Sequence, residues 1–136
     1  MDPSFNNRQY MCSFELKNEM YIIGGRGTTE DYRNFKVKQN EVEKLTDLPF
    51  AFRNGACTTV SDNTGALACA SLDDPYACWK FDGSNWAKVG GPKNDHQTGS
   101  MAPYNGGAII IAGYKDRTGS TEFWDQSQAR LTIPLV

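Results

Sequence analysis

The chain has 136 residues, enough to bury one core of ordinary size. Its 14 Lys+Arg against 16 Asp+Glu leave a net charge of −2, which excludes the clustered basic excess that nucleic acid or an acidic membrane surface demands. At 12% aromatic and only 22% charged, it is also too aromatic and too weakly charged for a disordered chain.

The N-terminus, Met1 to Arg8, has no basic start followed by an apolar stretch, so it does not read as a signal peptide. The expectation is an intracellular protein or an internal piece of a longer chain. The first unit then runs over about 8–49. A strand a begins near Arg8. Strand b, Met20-Tyr21-Ile22-Ile23, runs into Gly24-Gly25. A polar loop spans 26–33. Strand c carries Phe35 and Val37, the quartet Lys38–Glu41 turns, and strand d is Val42–Leu45, before Pro49.

A second unit, about 53–92, repeats this order. Strand a is Ala56–Val60 and the turn is Asp62-Asn63-Thr64-Gly65. Strand b, Ala66-Leu67-Ala68-Cys69, runs into Ala70-Ser71. The loop is Leu72–Tyr76, and strand c carries Trp79 and Phe81. The Asp82-Gly83-Ser84-Asn85 turn leads to strand d, Trp86–Val89. A third unit, about 96–134, has Ile109-Ile110-Ile111 into Ala112-Gly113, a loop 114–120, Thr121/Phe123, the quartet Trp124–Ser127 and Gln128–Leu131. The run Ala108–Ala112 is the longest apolar one, far short of the roughly 20 residues of a membrane helix.

Independent markers give one period. The last small residues, Gly25, Ser71 and Gly113, are 46 and 42 apart; Pro49, Pro92 and Pro134 are 43 and 42 apart. Val37/Val42, Phe81/Trp86 and Phe123/Gln128 are each five apart, and Arg53 and His96 each stand four after a proline. No segment keeps a helical 3.6-residue pattern, so the class is all-β.

Four short strands per unit, a small-residue pair after strand b and an aromatic opening strand d resemble kelch-repeat β-propeller blades. The second unit, Trp79-Lys80-Phe81 through Trp86, carries the resemblance best, and Gly24-Gly25 matches the family's double glycine. Ala70-Ser71 and Ala112-Gly113 depart from the double glycine, and Val42 and Gln128 from the tryptophan. The resemblance implies antiparallel four-stranded blades, here an open arc of about three, over the whole chain 1–136 as a partial propeller. Gly24, Gly25 and Gly113 would permit close approach or positive φ, and Trp79, Phe81 and Trp86 would fill the space between blades.

In such a blade the b–c loop and the d–a connection share one end. That end gathers Arg26, Glu30, Asp31, Arg33, Arg53, Asp73, Asp74, Tyr76, His96, Lys115, Asp116 and Arg117, charged forks and a tyrosine suited to gripping a protein. The resemblance implies the same, since kelch proteins mostly bind other proteins there. The expected function is therefore a non-enzymatic protein-interaction module. The alternatives are the substrate-recognition part of a ubiquitin-ligase adaptor and an extracellular matrix-type kelch protein. One histidine and no Cys/His cluster of zinc spacing give no motif for a triad, a metal or a cofactor.

Taking Leu72–Pro75 as the b–c turn sets Ser71 opposite Tyr76 and Cys69 opposite Cys78, a candidate disulfide pinning the loop. A similar pair flanks this loop in extracellular kelch proteins. Cys57 also faces Cys69 if the a–b turn centres on Asn63, and free thiols in a cytosolic domain are the other alternative. Cys12 and Cys57, repeat equivalents, read as small buried residues. Cytoplasmic and extracellular locations are equally expected. Three units fall short of the about 4–8 blades of a closed propeller, so further blades or self-association are expected to complete it.

Overall fold

The computed structural model describes residues 8–26, 32–113, 120–125 and 130–132. Among these, the chain is all-β. The first sheet is β1 (Gln9–Leu16), β2 (Glu19–Arg26), β3 (Asn34–Lys38) and β4 (Glu41–Lys44). The middle sheet is β5 (Ala56–Thr59), β6 (Ala66–Ser71), β7 (Asp74–Phe81) and β8 (Trp86–Val89). The third is β9 (Ser100–Tyr104), β10 (Gly107–Ile111), β11 (Thr121–Asp125) and β12 (Arg130–Thr132). Each sheet is antiparallel with its strands in chain order.

The turns explain the strand ends. Lys17-Asn18 and Asn105-Gly106 are two-residue connections with φ positive at both positions, the hairpin geometry that matches the strands' right-handed twist. Asp82 closes β7–β8 by accepting the Ser84 and Asn85 amides, both at 2.8 Å. The Asn85 and Ser84 amides hold its carboxyl below the usual range. Asp62 does the same for Thr64 before β6.

The middle sheet is covered on both faces, and all six residues of β6 are buried. One core joins it to the first sheet: Phe14, Leu16, Tyr21 and Ile23 meet Cys57, Ala66, Ala68 and Phe81, with Phe50 and Phe52 from the connector. Trp86 stacks on Phe81 at 4.9 Å and reaches Phe14 edge-on at 6.0 Å; Trp79 stacks on Phe50 at 4.5 Å. The second core joins Leu67, Cys69 and Cys78 to Ala108, Ile110 and Trp124 of the third sheet. The first strands pack side by side, β1 on β5 and β5 on β9. Farther out, a groove of about 480 Å³ opens between the first and middle sheets, lined by Tyr21, Lys36, Phe81 and Trp86.

The backbone repeats in detail. Near the end of strand b each sheet has a left-handed residue, Gly24 (φ 64°), Ala70 (φ 58°) and Ala112 (φ 54°). At Gly24 a side chain is doubly excluded, because a Cβ would also collide with the Phe52 carbonyl.

Three expectations need correction. In the third sheet Ala108 pairs with Trp124, as Ala66 pairs with Phe81, so Trp124 and not Phe123 is the equivalent of Phe81. Accordingly Trp124 is buried and Phe123 lies on the opposite face. Next, Asp74 and Tyr76 belong to β7, not to a loop. Ser71 pairs with Asp74 across an irregularity between Cys69 and Ser71, leaving only Leu72 and Asp73 as the turn.

Cys12 and Cys57 are the third case. They form a disulfide joining β1 to β5, with Cα atoms 6.1 Å apart. Cys57 pairs with Ala68, not Cys69, and that one-residue difference turns its side chain toward the first sheet. Cys69 and Cys78, paired across β6 and β7, form the second disulfide.

Candidate functional site at the connector end of the sheets

The d–a connector and the strand b ends meet as the topology requires. Gly25 donates its amide to the Phe52 carbonyl at 2.7 Å, and Leu72 donates to the Arg53 carbonyl at 2.9 Å. The Ser71 hydroxyl accepts from the Arg53 amide and donates to the Ala51 carbonyl, each at 3.2 Å. Residues 51–53 are thus clamped against the β6–β7 turn.

Around this clamp Arg53 Nη2 lies 3.5 Å from Asp73, and Asp74 lies 3.5 Å from Lys88. Tyr76, 57% exposed, and Leu72 project beside them. A recess of about 190 Å³ sits behind, floored by Phe50 and Trp79 and rimmed by Asp73 and Asp74. Arg33 Nη1 donates to both Asp47 oxygens at 2.9 Å, tying the start of β3 to the d–a connector. Arg26 ends β2 and is exposed. Glu30, Asp31, Lys115, Asp116 and Arg117 lie outside the described residues.

His96 does not belong to this surface: it and Glu122 are both 0% exposed. Its Nε2 donates to Glu122 Oε2 at 2.7 Å, and its Nδ1 donates to the Ala112 carbonyl. A carbonyl only accepts, so Nδ1 carries a proton. Glu122 also accepts the Lys93 amide at 2.8 Å and the Asn94 amide at 3.1 Å. Burial pushes its carboxyl up, but the His96 hydrogen bond and these two amides outweigh burial and hold it below the usual range. An ionised Glu122 then requires protons on both ring nitrogens, a buried imidazolium–carboxylate pair.

His96, four after Pro92, thus serves packing, whereas Arg53, four after Pro49, stands beside Asp73. The left-handed residue near the end of strand b turns carbonyls out of the ladder, and they need donors. His96 serves Ala112; Arg8, buried, serves Gly24 at 3.1 Å through Nε and Gly25 at 2.8 Å through Nη2. Sequence reading missed Glu122. Its signal was an acid at the strand c position where the other units have Phe35 and Trp79, and it shows only once the third unit is in phase.

Among the described residues, no group of three or more His, Cys, Asp or Glu is placed to hold a metal ion, and no helix is long and apolar enough to cross a membrane. Neither the protein-family models nor the curated proteins compared with the chain include a match.

Proposed function

We propose that the chain is a non-enzymatic protein-interaction module built of kelch-type propeller blades, binding its partner through the b–c and d–a loops. One observation carries this reading. The three sheets repeat down to the left-handed residue near the end of strand b, whereas the b–c connections differ: 27–33, 72–73 and 112–120. A scaffold held constant while one set of loops varies places recognition in those loops. Face-to-face sheets with their first strands together and a groove opening outward support the blade reading.

The pairing of all four cysteines favours the extracellular alternative over the ubiquitin-ligase adaptor, because such bridges persist in oxidising compartments. Panning a displayed random-peptide library on the intact chain tests the face. Enriched clones should lose binding to a Arg26→Ala, Asp74→Ala, Tyr76→Ala triple variant. Clones that bind the variant equally well would move recognition elsewhere.

A further inference from the structure

Three Asx–Gly pairs occur in the chain, Asn54-Gly55, Asp82-Gly83 and Asn105-Gly106. Each could undergo the same ring closure, in which the glycine amide attacks the preceding side-chain carbonyl carbon. Glycine, lacking a Cβ, leaves that approach open. The fold decides which pair can react.

Asn54 is held. Its left-handed φ of 55° recurs in phase at Tyr10 (φ 61°) in the first sheet and Thr98 (φ 60°) before the third. These residues tie the sheets together. The Asn54 amide donates to the Tyr10 carbonyl at 3.3 Å, and the Thr98 amide donates to the Asn54 carbonyl at 2.7 Å. Gly55 is crowded: a Cβ on it would lie 2.5 Å from the Cys69 carbonyl oxygen and 2.8 Å from the Phe52 ring. Swinging the Asn54–Gly55 peptide onto its side chain would break the inter-sheet contacts. Asp82 is blocked by chemistry. Its carboxyl accepts the Ser84 and Asn85 amides, and these bonds favour the ionised form, a poor electrophile.

Asn105 has no such restraint. It and Gly106 form the tip of the β9–β10 hairpin, and both are exposed. Among the described residues no hydrogen bond holds the Asn105 carboxamide or the Gly106 amide. No heavy atom lies within 4 Å of where a Gly106 Cβ would stand. The two residues can leave their left-handed wells while Tyr104 and Gly107 stay paired beneath them.

We propose that Asn105 is a site of spontaneous deamidation, and that the reaction breaks the hairpin's register. Hydroxide takes the Gly106 amide proton, the nitrogen bonds to the Asn105 Cγ, and the Cγ–N bond breaks to release ammonia. Water then opens the succinimide. Cleavage of its bond to Cγ gives aspartate; cleavage of the bond to the Asn105 backbone carbonyl carbon gives isoaspartate. Nothing is oxidised or reduced. Isoaspartate routes the main chain through the side chain and adds one carbon, which a two-residue turn of this type cannot absorb.

The folded chain, disulfides intact, is aged in mildly alkaline buffer, then reduced and peptide-mapped for the Asn-to-Asp mass gain. Asn105 should convert at least about tenfold faster than Asn54, the protection that two inter-sheet hydrogen bonds supply. In urea with reductant the two should convert alike. Asn54 keeping pace in the folded chain overturns the selectivity. So does an Asn105 that reacts in urea and stays intact when folded. An isoaspartyl methyltransferase assay then identifies the isoaspartate fraction, which should melt below an Asn105→Asp variant of equal charge. Equal melting temperatures would overturn the effect on register.

Discussion

Replacing Glu122 with Gln keeps the shape of the side chain and removes its charge. The carboxylate accepts three hydrogen bonds at 2.7 to 3.1 Å with no exposure to water. The amide keeps one accepting oxygen and turns two N–H groups toward existing donors, so at least one donor is orphaned. An unsatisfied buried donor costs about 1–3 kcal/mol, and the His96 imidazolium loses its counter-charge as well. Breaking one side of a buried pair costs about 3–5 kcal/mol, so the expected loss at neutral pH is about 3 kcal/mol. For a chain of this length that lowers Tm by about 10 °C. Urea titration followed by tryptophan fluorescence measures it.

The pH dependence has a fixed sign. The Glu122 carboxyl titrates lower when folded than when unfolded. Its contribution is present above the unfolded value of about 4.3 and is lost as pH falls through the folded value. Gln does not titrate, so the gap between the two proteins should close in acid and stand full at about pH 5.5, and it should narrow again at alkaline pH, where the pair loses the second His96 proton. A gap below about 0.5 kcal/mol at neutral pH, or one that persists unchanged in acid, would refute the ion pair.

Two other substitutions test the backbone and the staples. Ala112→Gly relieves a left-handed alanine that is exposed, and should raise stability by about 0.5–1 kcal/mol in a denaturant titration; a neutral or destabilising result would contradict the assigned φ. Cys12→Ser with Cys57→Ser opens a bridge of sequence separation 45, against 9 for Cys69 and Cys78. Loop-closure entropy gives about 4 and about 2.7 kcal/mol respectively. The first double variant should therefore melt lower than the second, and the reverse order would place the larger constraint within the middle sheet.

The all-β class and the three units of four strands were legible because turn residues and short apolar runs are local signals. Cys69 with Cys78 was one of the pairings the sequence left open; it holds although the Leu72–Pro75 turn behind it does not, because the irregularity between Cys69 and Ser71 offsets the shorter turn. What stayed hidden depended on parity. Phe123 and Trp124 are both aromatic neighbours, and composition does not say which faces inward. Cys57 changes face with one residue of slip in the β5–β6 turn, and with it the choice between Cys69 and Cys12. Asn105-Gly106 is a strong hairpin signal that fixes the third sheet's register, and reading it first would have set β9 and β10. The burial of His96 was not legible, because its partner Glu122 comes from a strand 26 residues away.

The bridge from Cys12 to Cys57 also alters how the chain would carry mechanical load. Residues 13–56 lie inside a covalent ring, so a pull on the two ends travels through the sulfurs and bypasses the whole outer part of the first sheet. Extension is capped accordingly. At about 3.5 Å per residue, roughly 150 Å of contour length is unreachable while the bridge stands, and a reductant would release it. The first sheet is thereby shielded from tension, a property suited to a module tethered between anchored structures.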